Sequence, residues 1–326
     1  MARYARTQTI EEPIGRDGRF SLRVTAADVR LRGVDAEVAV VRATFEIPAP
    51  SDSDADAVFE EVRLVATAAP GQLSVEEPRS THDLRGLIAR LLSGKGEIEY
   101  SVEVDVPRAA AVHVETVSGE LTAQGLQGEQ RYQTVSGDAF LADAGGAVRI
   151  NSVSGDVVVR ATRPLSARVE SVSGDLSLAA PRVDELRAHA VSGDVEVEGA
   201  LAPTGDFAVD TVSGDFIVGL IGGAEFVVRG ISTDISSALD HRVEGRLDRR
   251  RVIIGSGSPT VVFSSMSGDL SVGRPRRLAP DAAEAAEAAE AAAPEDEQMA
   301  VLRALERGEI DVEEATRRLS EGRRDA

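Results

Sequence analysis

Residues 148–159 read Val148-Arg149-Ile150-Asn151-Ser152-Val153-Ser154-Gly155-Asp156-Val157-Val158-Val159. Apolar residues alternate before the Ser-Gly-Asp tripeptide (Val148, Ile150) and again after it (Val157, Val159). A period of two on both sides means two strands, each with one buried face. The alternation slips by one residue between Ser152 and Val153, where a corner or bulge would keep both strands facing inward. Gly155 supplies the unusual backbone angle that such a bend requires.

The same unit recurs along the chain. Ser-Gly-Asp or Ser-Gly-Glu begins at Ser118, Ser136, Ser154, Ser173, Ser192, Ser213 and Ser267, with a degenerate copy at Ser232-Thr233-Asp234. From 118 to 232 the steps are 18, 18, 19, 19, 21 and 19 residues. The gap from Ser232 to Ser267 is 35, near two periods, and predicts one irregular rung carrying a longer loop. Val117, Val135, Val153, Val172, Val191, Val212, Ile231 and Met266 precede the serines, and a small residue precedes each of those. One period therefore holds two strands of about six residues, roughly 20 Å each, and two turns. The second turn is marked by Gly or Pro, as at Gly125 and Pro164. Stacking such units predicts an all-β fold, a β-solenoid of two-stranded rungs over residues 1–278. A β-propeller-like arrangement, with two periods in each blade of about 40 residues, is the alternative.

The flanks differ from the repeat. Residues 14–47 read as an irregular start, in which Phe20, Leu22 and Val24 alternate and Asp28-Val29-Arg30-Leu31 echoes the second half of the unit. Residues 51–95 read as a helical insertion, with one helix at Asp52 to Val62 and another at His82 to Leu92. In the second, Leu84, Leu87, Ile88 and Leu91 fall at helical spacing. A cap over the open end of the stack accounts for it better than a membrane-surface helix, because its polar face lacks a dense Lys/Arg stripe. Residues 279–295, APDAAEAAEAAEAAAPE, are an acidic Ala/Glu spacer without a buried face. Residues 296–326 predict an α-hairpin. Met299, Leu302 and Leu305 line one helix, Gly308 stops it, and Asp311 with Glu314 caps a second that bears Val312 and Leu319. About 30 residues bury too little to stand alone, so Met299, Leu302, Leu305, Ile310, Val312 and Leu319 are the expected partner interface.

Composition narrows the function. Asp+Glu number 55 against 36 Lys+Arg, a formal charge of −19, which repels nucleic-acid phosphates and anionic lipid. There is no cysteine, so thiolate and disulfide chemistry are excluded. No run of about 18 apolar residues spans a bilayer, and no apolar segment follows Met1–Arg6, so the expected location is the cytoplasm.

The recurring acids are Glu120, Asp138, Asp156, Asp175, Asp194, Asp215, Asp234 and Asp269. The expected role is structural, each carboxylate accepting backbone N–H groups in its own turn. Calcium binding and a catalytic carboxylate pair acting on polysaccharide are the competing readings. His82, His113, His189 and His241 show no metal-ligand spacing, and no nucleophile elbow or phosphate loop is present. No cofactor, metal or catalytic residue is expected. Arg246/Arg249/Arg250/Arg251 and Arg274/Arg276/Arg277 read as solvated faces, with an anionic partner as the alternative.

The run Ser101-Val102-Glu103-Val104-Asp105-Val106-Pro107, followed by Val112-His113-Val114-Glu115-Thr116-Val117-Ser118-Gly119-Glu120, resembles the bacterial β-strand-repeat family labelled as candidate adhesins. The resemblance covers about residues 14–275 and implies fold more than function. The segment Met299–Gly322 resembles the short SHOCT-like hairpins associated with oligomerisation or partner docking. The expectation is a non-enzymatic scaffold that engages a protein partner, or itself, through the hairpin. A surface adhesin binding glycans or cells is the first alternative, and a solenoid polysaccharide enzyme the second.

Overall fold

Each repeat lies beside another and pairs with it in parallel. Val148, Ile150 and Ser152 take Gln130, Tyr132 and Thr134 as partners, and these take Val112, Val114 and Thr116. After the turn the same holds: Leu121 pairs with Ala139, Ala139 with Val157, Val157 with Leu176, and Leu176 with Val195. Partners occupy the same place in every unit, so apolar side chains stack on apolar side chains. Val114, Ile150, Val159 and Leu178 are buried, and the two ladders share one core. The parallel pairing, one period apart, is not the antiparallel order of propeller blades, which sets that alternative aside.

The computed structural model describes residues 2–78, 98–246 and 249–276. The helix expected at His82–Leu92, the spacer 279–295 and the hairpin 296–326, with Met299, Leu302, Leu305, Ile310, Val312 and Leu319, lie outside them. The fold is all-β: among the described residues 22 strands are joined by hydrogen bonds and one helix accompanies them. They belong to one compact unit, Met1–Pro275.

The first repeat is not the outermost. Strand Arg19–Arg23 lies between Ala111–Thr116 and Gln72–Glu76, and Asp28–Val34 lies between Leu121–Gln124 and Glu99–Pro107. The helix expected at Asp52–Val62 is present, with the Ser51 side chain accepting the Asp54 N–H. Of the rest of the expected helical insertion, the described stretch up to residue 78 needs correction. Val65–Ala69 and Gln72–Glu76 form an antiparallel hairpin that extends the ladder. Its period-two signal is only Leu73 and Val75, too short to separate strand from loop by pattern. Val38–Ala49 and Ala2–Pro13 then add antiparallel strands on the other ladder.

At the far end, chain order and stack order part. No irregular rung lies between the Ser232 and Ser267 units. The Ser267 unit instead sits between those of Ser213 and Ser232, since Phe263 pairs with Val209 on one side and Val228 on the other. The intervening chain forms a hairpin, His241–Arg246 with Arg249–Ile254, on the outer edge of Ala224–Ser232. Parallel neighbours are joined by crossovers rather than tight turns. A chain that leaves the stack can therefore re-enter on either side, and spacing does not say which. Aromatics concentrate near both ends: Phe45 stacks on Tyr100 at 5.1 Å, and Phe216 lies 5.5 Å from Phe263.

The alternation assigns opposite fates to two residues of one repeat. Leu178 is 0% exposed and Val172 is 49% exposed. Leu178→Ala should cost about 2–5 kcal/mol, whereas Val172→Ala should cost less than about 0.5 kcal/mol. Urea midpoints and melting temperatures of the two variants check this; equal losses would mean that the register is wrong.

Candidate functional site

The turn is built from four side chains that act in different directions. The small residue ahead of the Val is mostly buried, and its hydroxyl donates to a carbonyl two residues on: Thr116 to Ser118, Ser152 to Ser154 and Ser171 to Ser173, at 3.1–3.2 Å. The next residue points outward, and does so also where that bond is absent, as after Thr134 and Ala190. Val117, Val135, Val153, Val172, Val191 and Val212 form an exposed aliphatic ridge, and Met266 continues it. Each following serine reaches back one repeat. The hydroxyls of Ser154, Ser173 and Ser192 donate to the carbonyls of Val135, Val153 and Val172 at 3.2–3.3 Å.

Gly174 then takes φ +111°, a conformation that side chains disfavour. Space forbids one as well, because a Cβ there would lie 2.2 Å from the Gly155 carbonyl oxygen. Gly155 meets the Gly137 oxygen in the same way, at 2.4 Å. Glycine thus stacks on glycine along the column.

The acids complete the turn, but not within their own repeats as the sequence suggested. Asp156 N–H donates to Asp138 Oδ1, Asp175 N–H to Asp156, Asp194 N–H to Asp175 and Asp215 N–H to Asp194, each at 2.8 Å. Asp269 N–H donates to Asp215, and Asp234 N–H to Asp269. In-register stacking places each carboxylate beside the equivalent N–H one strand away. The series begins at Asp28, which accepts from Glu120 N–H at 3.0 Å; sequence reading noticed Asp28 but did not include it among the turn acids. Glu120, one carbon longer, instead accepts from Thr122 Oγ1.

Like charges one strand apart repel by roughly 1 kcal/mol in water. A hydrogen bond to a charged group contributes about 1.5–3 kcal/mol, so the ladder outweighs the repulsion. A pocket of about 480 Å³ lies beside Asp194, Asp215, Asp234 and Asp269. Among the described residues, no three His, Cys, Asp or Glu side chains converge in a way that could hold a metal ion.

Beside the ridge runs a shallow trough of about 600 Å³, lined by Val172, Val191 and Val212 together with Glu170, His189 and Asp210. His189 Nδ1 lies 3.2 Å from Asp210 Oδ2, His113 Nε2 lies 3.3 Å from Glu115, and His241 Nδ1 meets the Leu239 carbonyl; the structure does not bring these three together. Arg23 bonds Glu115 at 2.6 Å and holds its carboxyl below the usual glutamate range. Of the expected basic clusters, Arg251 pairs with Glu225, and Arg250 donates to the Thr233 carbonyl.

Sequence reading missed two columns. The outward Val ridge was legible in the repeated Val itself, but its direction depends on the backbone bend at the turn. An arginine stands five residues before the turn serine in four successive repeats: Arg131, Arg149, Arg168 and Arg187. Comparing that offset across the repeats would have found it.

Residues 21–273 match the family model described as Toastrack DUF4097. No curated protein matches the chain. Solved structures do. One from Clostridium sporogenes, named as a candidate cell adhesion protein, is 7% identical, with 84% of this chain and 100% of that chain covered and a TM-score of 0.27. A candidate adhesin from Bacteroides fragilis is 11% identical, covering 82% and 97%, with a TM-score of 0.36. A protein from Parabacteroides distasonis, named for lipid binding, is 11% identical, covering 83% and 97%, with a TM-score of 0.28.

Gly174→Val combines a disfavoured φ with a backbone clash and should destabilise by more than about 1 kcal/mol. Asp175→Ala removes a charge-assisted acceptor but also relieves repulsion with two neighbours of roughly 1 kcal/mol each, so it should cost less than about 1 kcal/mol. Thermal unfolding ranks the two, and the reverse order would overturn the stacking argument. The Arg23–Glu115 pair predicts a pH effect. A depressed carboxyl contributes stability above the unfolded glutamate value, and that contribution is lost as pH falls through the lower folded value. Arg23→Gln should therefore lower the melting temperature near pH 7 and approach wild type in acid, which flattens the acid limb of melting temperature against pH.

Proposed function

The chain belongs to the Toastrack DUF4097 family, and from the geometry of its turns we propose a β-solenoid scaffold that acts by binding rather than by catalysis. One observation carries the reading: the aliphatic ridge from Val117 to Val212 stands exposed in six repeats, in register, over a rigid in-register stack. Contiguous exposed apolar surface marks interaction sites. The acids next to it each give one oxygen to a neighbouring N–H. That arrangement favours a structural ladder over the carboxylate pair of a glycosidase.

In this proposal the 279–295 spacer carries the 296–326 hairpin to a second molecule, and Met299, Leu302, Leu305, Ile310, Val312 and Leu319 form the contact. The partner is a protein or a second copy, reached in the cytoplasm. No described helix is long and apolar enough to cross a membrane.

Leu302→Asp with Leu305→Asp in the full chain tests the proposal. The β-rich circular dichroism and melting temperature should stay near wild type, while the mass in light scattering falls or capture of a partner is lost. A wild-type mass and undiminished partner capture, or collapse of the β signal, would remove the hairpin from the role. Protease cleavage of the protein on intact cells would instead favour the adhesin alternative.

A further inference from the structure

Away from the turn column, a pocket of about 170 Å³ opens on the outer side of the strands that precede the turns. Arg149, Arg168 and Arg187 line it, with Ser166 and Gln130. These arginines are direct register partners: Arg131 pairs with Arg149, Arg149 with Arg168, and Arg168 with Arg187. They therefore stand one strand spacing apart, about 4.8 Å at the backbone. Each such neighbour repels by roughly 1 kcal/mol in water.

The two end members have acids nearby. Arg131 Nη2 lies 4.0 Å from Glu129, and Arg187 pairs with Asp206. The two central members make no salt bridge among the described residues. The Arg149 Nε is moreover buried from solvent and has no hydrogen-bond partner. In a chain with formal charge −19, Arg149 and Arg168 stand side by side at a pocket with no carboxylate of the described residues in salt-bridge reach.

We propose that this pocket is an oxyanion site, in which the guanidinium forks of Arg149 and Arg168 grip a phosphate or carboxylate group and the Ser166 hydroxyl adds a donor. The planar fork of arginine matches both groups in a bidentate way. The volume is far below the 300 Å³ or so of a drug-sized ligand site, so the pocket holds one charged group and the rest of the ligand lies outside. Glu129 and Glu185 also line the pocket. They select against a densely charged polyanion and favour a single oxyanion. This site stands whether or not the terminal hairpin engages a partner.

Calorimetry on the full chain at low salt, with inorganic phosphate and glucuronate as separate probes, tests it. At least one should bind at millimolar concentration or below, and which one does so separates a phosphate source from a carboxylate source. Arg149→Gln and Arg168→Gln should each weaken binding by about tenfold, the value of one charge-assisted hydrogen bond. Neither should lower the melting temperature of the unliganded protein, because each relieves repulsion. Arg163→Gln, which removes a charge elsewhere, should leave binding unchanged. Binding of neither probe, or equal binding by the double variant Arg149→Gln/Arg168→Gln, would overturn the proposal. Should that variant fold poorly, Arg149→Lys/Arg168→Lys replaces it, keeping the charge and removing the fork; retained affinity there would likewise reject the assignment.

Discussion

A carbonyl oxygen stands where a side chain at Gly174 would begin, and the rest of the structure follows from that approach. Backbones can come so close only if the turns of successive repeats lie directly over one another. Once they do, the two ladders are held in register on either side, and every position of the repeat becomes a column. The Asp N–H and carboxylate pairs run along this same line, so the polar and steric demands of the turn are met together.

Columns convert single residues into surfaces. Inside, the columns of Val, Leu and Ile close a thin core with few aromatics. Outside, one repeated Val becomes a ridge and one repeated Arg becomes a line of charge. Parallel stacking multiplies whatever the repeat carries, including its liabilities: like charges recur one strand apart. The acids resolve this by accepting N–H groups from the next strand. The central arginines have no such partner among the described residues. The same geometry therefore explains why one charged column is a structural ladder and the other is the place to look for a ligand.

The ends obey a different rule. A stack of strands exposes unpaired edges, which proteins cover or blunt. Here antiparallel additions do so: Ala2–Pro13 with Val38–Ala49 at one end, and the 241–254 hairpin at the other. Larger aromatic side chains fill the core near both. These segments carry no repeat, so comparison of one repeat with another says nothing about them.

What the sequence alone determined was the repeat: the alternation around Ser154-Gly155-Asp156, the two strands and bend it requires, and the all-β character that follows. These are local consequences of backbone sterics and period-two burial, and they are written within about twenty residues of chain. The tertiary structure decided what depends on neighbours far apart in the chain. It set the outward turn of the Val ridge, because the backbone bends between the buried small residue and the Val wherever one repeat stacks on the next. It set the partners of the acids, because the nearest N–H to Asp175 Oδ1 belongs to Asp194. It inserted the Ser267 unit beside that of Ser213, because a crossover leaves its point of return open and only packing against both neighbours selects it.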